Sequence, residues 1–184
     1  MSKEKKLEPM PDAGFKCMMW FFKLVDLFWN PQKQVKKFPL KEGMTVVDYG
    51  CGPGRYTIPI AKLVGEKGKV FALDIQPIAI STVNKKAAKE GLTNIEAILL
   101  DSYDTGIQEA TVDLVLLIDT FHMISDYDAL FREIHRILKQ DGFLFMDPGH
   151  MKMPQAREIV ESSDLFTIVE CRGRDMLVAP KTEQ

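Results

Sequence analysis

An α/β three-layer sandwich built on a mostly parallel sheet is the fold this sequence predicts, and three observations predict it. After Gly43 the chain alternates short apolar runs with longer amphipathic segments. Several of the short runs, such as Val112–Ile118 and Phe143–Met146, are almost continuously apolar, as strands covered by helices on both faces are. Glycines stand where helices are expected to stop, at Gly65, Gly91 and Gly142.

Residues 1–12 are charged and carry Pro9 and Pro11, so a flexible tail is expected there. Residues 13–184 read as a single domain, with a helical cap over 13–40 and the core over 41–184. The first helix is expected over Ala13–Asn30. Its polar residues Lys16, Lys23, Asp26 and Asn30 share one narrow stripe, and Phe15, Met18, Met19, Phe22, Val25, Phe28 and Trp29 occupy the remainder. Asn30-Pro31 is a stop and restart.

In the core, strands are expected at 44–49, 69–74, 94–100, 112–118 and 142–147, and helices at 54–65, 77–91, 127–139 and 154–163. Leu165–Arg172 and Asp175–Pro180 have no helix between them and turn through Gly173. They are expected to form an antiparallel hairpin at one end of the sheet, which makes seven strands in all.

Composition narrows the class of function. The chain has 184 residues, a net charge of -2 and 27% charged residues, which gives no general drive toward nucleic acid. Lys33, Lys36, Lys37 and Lys41 form the only basic cluster and read as a solvated helix face. Cys17, Cys51 and Cys171 are odd in number and far apart, so neither a disulfide framework nor a metal site is expected, and a reducing cytoplasm fits them. The greasiest segment, Cys17–Trp29, contains Lys23 and Asp26 and is too short to span a bilayer.

The most informative stretch is Val46-Val47-Asp48-Tyr49-Gly50-Cys51-Gly52-Pro53-Gly54-Arg55. An apolar strand ends in an acidic residue and is followed by three glycines at alternate positions, so backbone can approach a bulky polar ligand. Ligands of open parallel sheets bind beyond the carboxyl ends of the strands, and this loop lies at that edge. It would offer N–H groups to a carboxylate, while Asp48 would hold an ammonium group. Twenty positions beyond Gly54, the strand Val70–Leu73 ends in Asp74. Its carboxylate suits the two hydroxyls of a ribose, and Ile75 would pack on the purine. A dinucleotide fingerprint wants glycine at the sixth position of GxGxxG, where Arg55 stands. GxGxG describes the loop better and disfavours a nicotinamide-dependent oxidoreductase.

With these motifs the chain resembles the class I S-adenosylmethionine-dependent methyltransferases, in the small-molecule branch that includes the ubiquinone/menaquinone-biosynthesis enzymes. The likeness runs from Lys41 to Lys139 and on to Gly142, through Gly68–Asp74, Asn94–Asp101, Val112–Val115, Phe121–Asp126 and Leu130–Gly142. It implies a Rossmann-like sheet and S-adenosylmethionine as methyl donor. Position by position, it implies that Asp48, Tyr49, Gly50, Cys51, Gly52 and Gly54 form the cofactor loop and that Asp74 and Ile75 meet the adenosine. It further places Asp101 and Ser102 at the adenine and the backbone of Asp119 at the methionine end.

Methyl transfer releases a neutral thioether, so positioning dominates and a base is needed only if the acceptor must lose a proton. His122 and His150, each following a strand, are the candidate bases, and His135 reads as structural. The loop Asp119-Thr120-Phe121-His122 lacks the Asn/Asp-Pro-Pro-Tyr signature of amino-directed DNA methyltransferases. The expected acceptor is a small apolar or amphipathic molecule. Helix 15–29 would close over it through Met18, Met19, Trp20 and Phe22, or would pack on the sheet or on a second subunit of a homodimer. The alternative function is a non-catalytic S-adenosylmethionine-binding regulator or scaffold.

Overall fold

Thr45–Tyr49 (β1) lies inside a seven-stranded sheet in a computed structural model that describes residues 7–28 and 30–181. On one side of β1 stand Lys69–Asp74 (β2) and Ile95–Leu99 (β3); on the other stand Val112–Leu117 (β4) and Leu138–Met146 (β5). All four of these pairings are parallel. Phe166–Arg172 (β6) and Asp175–Pro180 (β7) close the order β3-β2-β1-β4-β5-β7-β6, with β7 antiparallel to both β5 and β6. The expected three-layer fold and C-terminal hairpin are both present.

Parallel register puts residues at paired positions on one face, which sorts the core into two layers. Val46, Val70, Leu114, Leu116 and Phe145 point to the face covered by Thr57–Val64 (α3), through Ile60, Ala61 and Val64. Pro77–Lys89 (α4) joins that side through Val83 against Ala72. Val47, Val115, Leu117, Leu144 and Met146 face Tyr127–Ile137 (α5) and Met153–Ser162 (α6). The strands between the layers are apolar on both faces because both faces are covered.

One boundary differs from expectation for a steric reason. Gly65 and Gly91, at φ 69° and 66°, do follow helices, but Gly142 lies inside β5. A Cβ there would sit 3.0 Å from the carbonyl oxygens of both Lys139 and Val112, so this glycine serves close backbone approach at an irregularity in the β4–β5 pairing. Asp126 caps α5 by accepting from the Ala129 N–H at 2.9 Å.

Asp12–Phe28 (α1) precedes the sheet and buries only Phe15 fully; Trp29 of the expected helix lies outside the described residues. Asn30 then caps the short helix Pro31–Gln34 (α2) by accepting from the Gln32 N–H at 2.8 Å. Of the tail expected to be flexible, residues 1–6 also lie outside the described residues. Leu7–Pro11 is anchored: the Leu7 N–H donates to the Asp101 carbonyl at 3.4 Å, and the Met10 carbonyl accepts from Gln76 Nε2 at 2.9 Å. No helix among the described residues is long and apolar enough to cross a membrane.

Candidate active site

The chain leaves β1 for β2 and β3 in one direction and returns to β4 and β5 in the other, so a crevice opens where the order reverses. A cavity of about 650 Å³ occupies it, between the carboxyl ends of the strands and the inner side of α1. Asp48, Tyr49, Gly50, Cys51, Gly52, Asp74, Ile75, Asp119, His122 and His150 all line it. Gly54, Asp101 and Ser102 do not.

The glycine loop is tighter than the sequence alone conveys. Gly50, Gly52 and Gly54 have φ of 76°, 52° and 72°, the left-handed region that side chains rarely adopt. A Cβ on Gly50 would lie 2.4 Å from Thr120 Oγ1, so the first strand loop and the fourth strand loop touch there. Gly54 plays a packing part, because its Cβ would lie 2.9 Å from Val83 on α4. The N–H groups of Gly50 and Cys51 both donate to the Leu73 carbonyl, at 2.8 and 2.9 Å, and that of Gly54 to Cys51 at 3.0 Å. These donors are spent inside the loop, whereas the sequence predicts that the loop offers its N–H groups to a ligand carboxylate.

Asp74 is part of the same scaffold. Its Oδ2 accepts from the Gly52 N–H and its Oδ1 from the Gln76 N–H, each at 2.8 Å. Burial pushes its pKa up, against these hydrogen bonds. Asp48 is 3% exposed and accepts from Thr57 Oγ1 at 2.6 Å. Burial, with the charge of Asp74 nearby, pushes its pKa up from 3.8 to about 6, although the Thr57 hydrogen bond opposes the rise.

Arg55 was read only as the residue that breaks a dinucleotide fingerprint, yet it lines the cavity. Its Nε pairs with Asp26 of α1, and its guanidinium lies 5.1 Å from the Phe22 ring centroid and 5.5 Å from that of Tyr56. Among the described residues its Nη2 is buried without a hydrogen-bond partner. Sequence carried no signal for this, since the partner Asp26 lies in another element. The end at which the resemblance implies adenine differs as well. Asp101 is exposed, with its carbonyl held by Leu7, while Leu100 and Tyr103 line the cavity instead. The Tyr103 hydroxyl accepts from the N–H groups of Ser125 and Asp126, at 3.3 and 3.1 Å.

At the opposite end, the His122 and His150 rings meet edge to face with centroids 4.8 Å apart. Gly149, at φ 57°, makes the contact possible: a Cβ there would lie 2.1 Å from His122 Nδ1. Of α1, Phe15, Met18, Phe21 and Phe22 face the cavity, whereas Met19 and Trp20 do not line it and Trp20 is 63% exposed. His135 lies on α5 and is within 3.1 Å of the Lys181 carbonyl.

The donor set can be tested against a cofactor carrying ribose, ammonium and carboxylate groups. Two buried carboxylates and one buried guanidinium nitrogen, unpartnered among the described residues, line a single cavity. A Cβ added at Gly52 would meet nothing within 4 Å, so the loop opens on free space there. The residues fit such a group.

Comparison with known proteins agrees with this geometry. A family model described as a methyltransferase domain matches residues 40–174. The chain is 27% identical over 141 residues to a demethylmenaquinone methyltransferase of Lactococcus lactis subsp. lactis, covering 76% of this chain and 55% of that protein. It is 28% identical over 129 residues to an (S)-coclaurine N-methyltransferase of Thalictrum flavum subsp. glaucum, covering 70% of this chain and 35% of the relative. It therefore spans only about a third to a half of these relatives. A SAM-dependent methyltransferase structure from Aquifex aeolicus superposes with a TM-score of 0.74 at 29% identity, covering 82% of this chain and 88% of that one.

Proposed function

The chain belongs to the methyltransferase domain family, and on that premise we propose that it transfers a methyl group from S-adenosylmethionine to a small, apolar or amphipathic acceptor. The observation that carries this reading is one cavity that joins Asp74, the unpartnered Arg55 Nη2 and the His122–His150 pair.

When bound, S-adenosylmethionine supplies a sulfonium methyl group whose leaving group is a neutral thioether. Asp74 would hold the ribose hydroxyls, with Ile75, Leu100 and Tyr103 around the base. Arg55 would take the carboxylate, because its Nη2 is the buried donor without a protein partner. Asp48 would face the ammonium group, where an added positive charge draws its proton off. The backbone of Asp119 would meet the methionine end.

On the acceptor side, Phe15, Met18, Phe22, Met123 and Ile124 give an apolar wall, which suits an apolar ligand and excludes water. Methionine and aromatic side chains adapt to varied shapes. His122 and His150 would receive an acceptor proton. No charged group needs to stabilise the departing thioether, so positioning supplies the acceleration.

Calorimetry with S-adenosylmethionine tests the donor half, and a turnover screen with quinols, phenols, amines and thiols tests the acceptor half. Micromolar-range binding with methylated product is expected. Binding with no product from any acceptor class would favour a regulator, and no binding would end the proposal.

A further inference from the structure

Asp119, His122 and His150 are brought together from two loops, the first two following β4 and the third following β5. One ligand atom of each lies within 4.8 Å of the other two. The loops are clasped from beneath: Asp147 Oδ1 accepts from the Asp119 N–H at 3.0 Å and from the Gly149 N–H at 2.8 Å. Asp119 is held at φ 52°, a conformation that costs a non-glycine residue about 1 kcal/mol or more and tends to mark functional sites. Among the described residues its carboxylate enters no hydrogen bond or ion pair, and only its N–H is engaged. His122 Nδ1 is buried and has no hydrogen-bond partner among the described residues.

We infer that Asp119, His122 and His150 bind one divalent transition-metal ion at the acceptor end of the cavity. Two imidazoles and one carboxylate suit zinc, cobalt or ferrous iron, whereas magnesium and calcium prefer all-oxygen sites. Ligands sharing a tetrahedral ion lie about 3.4 Å apart. Asp119 and His150 are exposed side chains, so rotation about their own bonds closes the gap from 4.8 Å. The half-buried His122 is the fixed member.

Three protein ligands leave a position open toward the cavity, and with the ion bound His122 and His150 act as ligands in place of proton acceptors. An acceptor hydroxyl or thiol placed there would give up its proton more readily. The proton passes to bulk water. The conjugate base keeps its lone pairs on oxygen or sulfur, one shared with the ion and another free to form the bond to the methyl group as the sulfonium C–S bond breaks. This use rests on the proposed methyl transfer; ion binding itself does not. The sequence hides the site because His122 and His150 stand on separate loops without helical or short-loop ligand spacing.

Titration of the apo protein with Co²⁺ tests the inference. Visible d–d absorption should saturate at one equivalent, without a thiolate charge-transfer band, and Zn²⁺ should displace it. His150→Ala and Asp119→Asn should each weaken binding by about tenfold or more, while His135→Ala should bind as the wild type does. If the variants do not fold, histidine ring resonances of the wild type decide the matter. Zn²⁺ should shift two of the three histidines and leave His135 in place. A lack of saturable Co²⁺ binding, a sulfur-derived band or a shift confined to His135 would each overturn the site. Calorimetry with S-adenosylmethionine on the same metal-free sample keeps the two readings apart. Metal binding without donor binding would defeat the proposed function alone, and the reverse would defeat this inference alone.

Discussion

Arg55 stands between α1 and the cavity: its Nε donates to Asp26, while its Nη2 is buried with nothing to bond. One side chain thus holds the helix over the site and presents a donor to whatever fills the site. Arg55→Ala should weaken S-adenosylmethionine binding by about tenfold, the range expected when a charge-assisted hydrogen bond is lost. Asp26→Asn should lower global stability by under about 1 kcal/mol, since the pair is partly exposed. The same change should speed protease cleavage within 12–28. Calorimetry and limited proteolysis would check the two effects separately, and unchanged cleavage would remove the helix from this role.

Asp74 bonds the glycine loop and the start of α4 at once. Asp74→Ala should weaken donor binding by at least about tenfold and also cost about 1–3 kcal/mol, because two backbone N–H groups lose their acceptor. Thermal melts without ligand would read the second effect. Weaker binding at unchanged stability would mean that Asp74 does not organise the loop.

Asp48 makes stability depend on pH. An acid whose pKa rises on folding holds its proton more tightly in the native state. Its contribution is therefore greatest below the unfolded value of 3.8 and is lost as pH rises through about 6. That interval corresponds to about 3 kcal/mol. Asp48→Asn keeps an oxygen for Thr57 and titrates no proton, so its advantage over the wild type should grow between about pH 4 and about pH 7. Urea denaturation at both values would show it; an equal difference at each would contradict the assignment.

Gly50→Ala should destabilise the fold by about 2 kcal/mol or more, combining a left-handed residue with a Cβ 2.4 Å from Thr120 Oγ1. Thr120→Gly in the same chain should recover part of the loss. If the double variant gains nothing, the contact is not the source.

Alkylation should separate the cysteines. Cys17 and Cys171 are exposed, whereas Cys51 is buried and its thiol is pushed up by burial and by the charges of Asp48 and Asp74. Iodoacetamide in the native state should therefore label two positions, and mass spectrometry would show Cys51 unmodified until denaturant is added.

What the sequence made legible was local. Gly50 and Gly52 were readable because alternate glycines after an apolar strand signal a left-handed loop that side chains rarely adopt, and Asp74 because a strand period carries it to the same edge. The parallel sheet followed from apolar strands alternating with helices. Arg55 was missed because its role depends on Asp26 in an element brought near only by folding. Asp101 misled because β3 ends at Leu99 and the chain then turns its carbonyl to Leu7. Gly142 looked like a helix stop, since a glycine between two backbone carbonyls has no distinct signature.

The reversal of strand order beside β1 also separates two kinds of inheritance. In the proposed reading, most donor contacts would come from the ends of β1 and β2, and most acceptor-facing groups from the ends of β4 and β5 and from α1. Substitutions in the second set that spare Asp26, Asp119 and Thr120, which reach the donor side, would then change the acceptor and leave the first set in place. A library confined to α1, the loop after β4 and the loop after β5 should therefore yield variants that keep the donor and diverge in what they methylate.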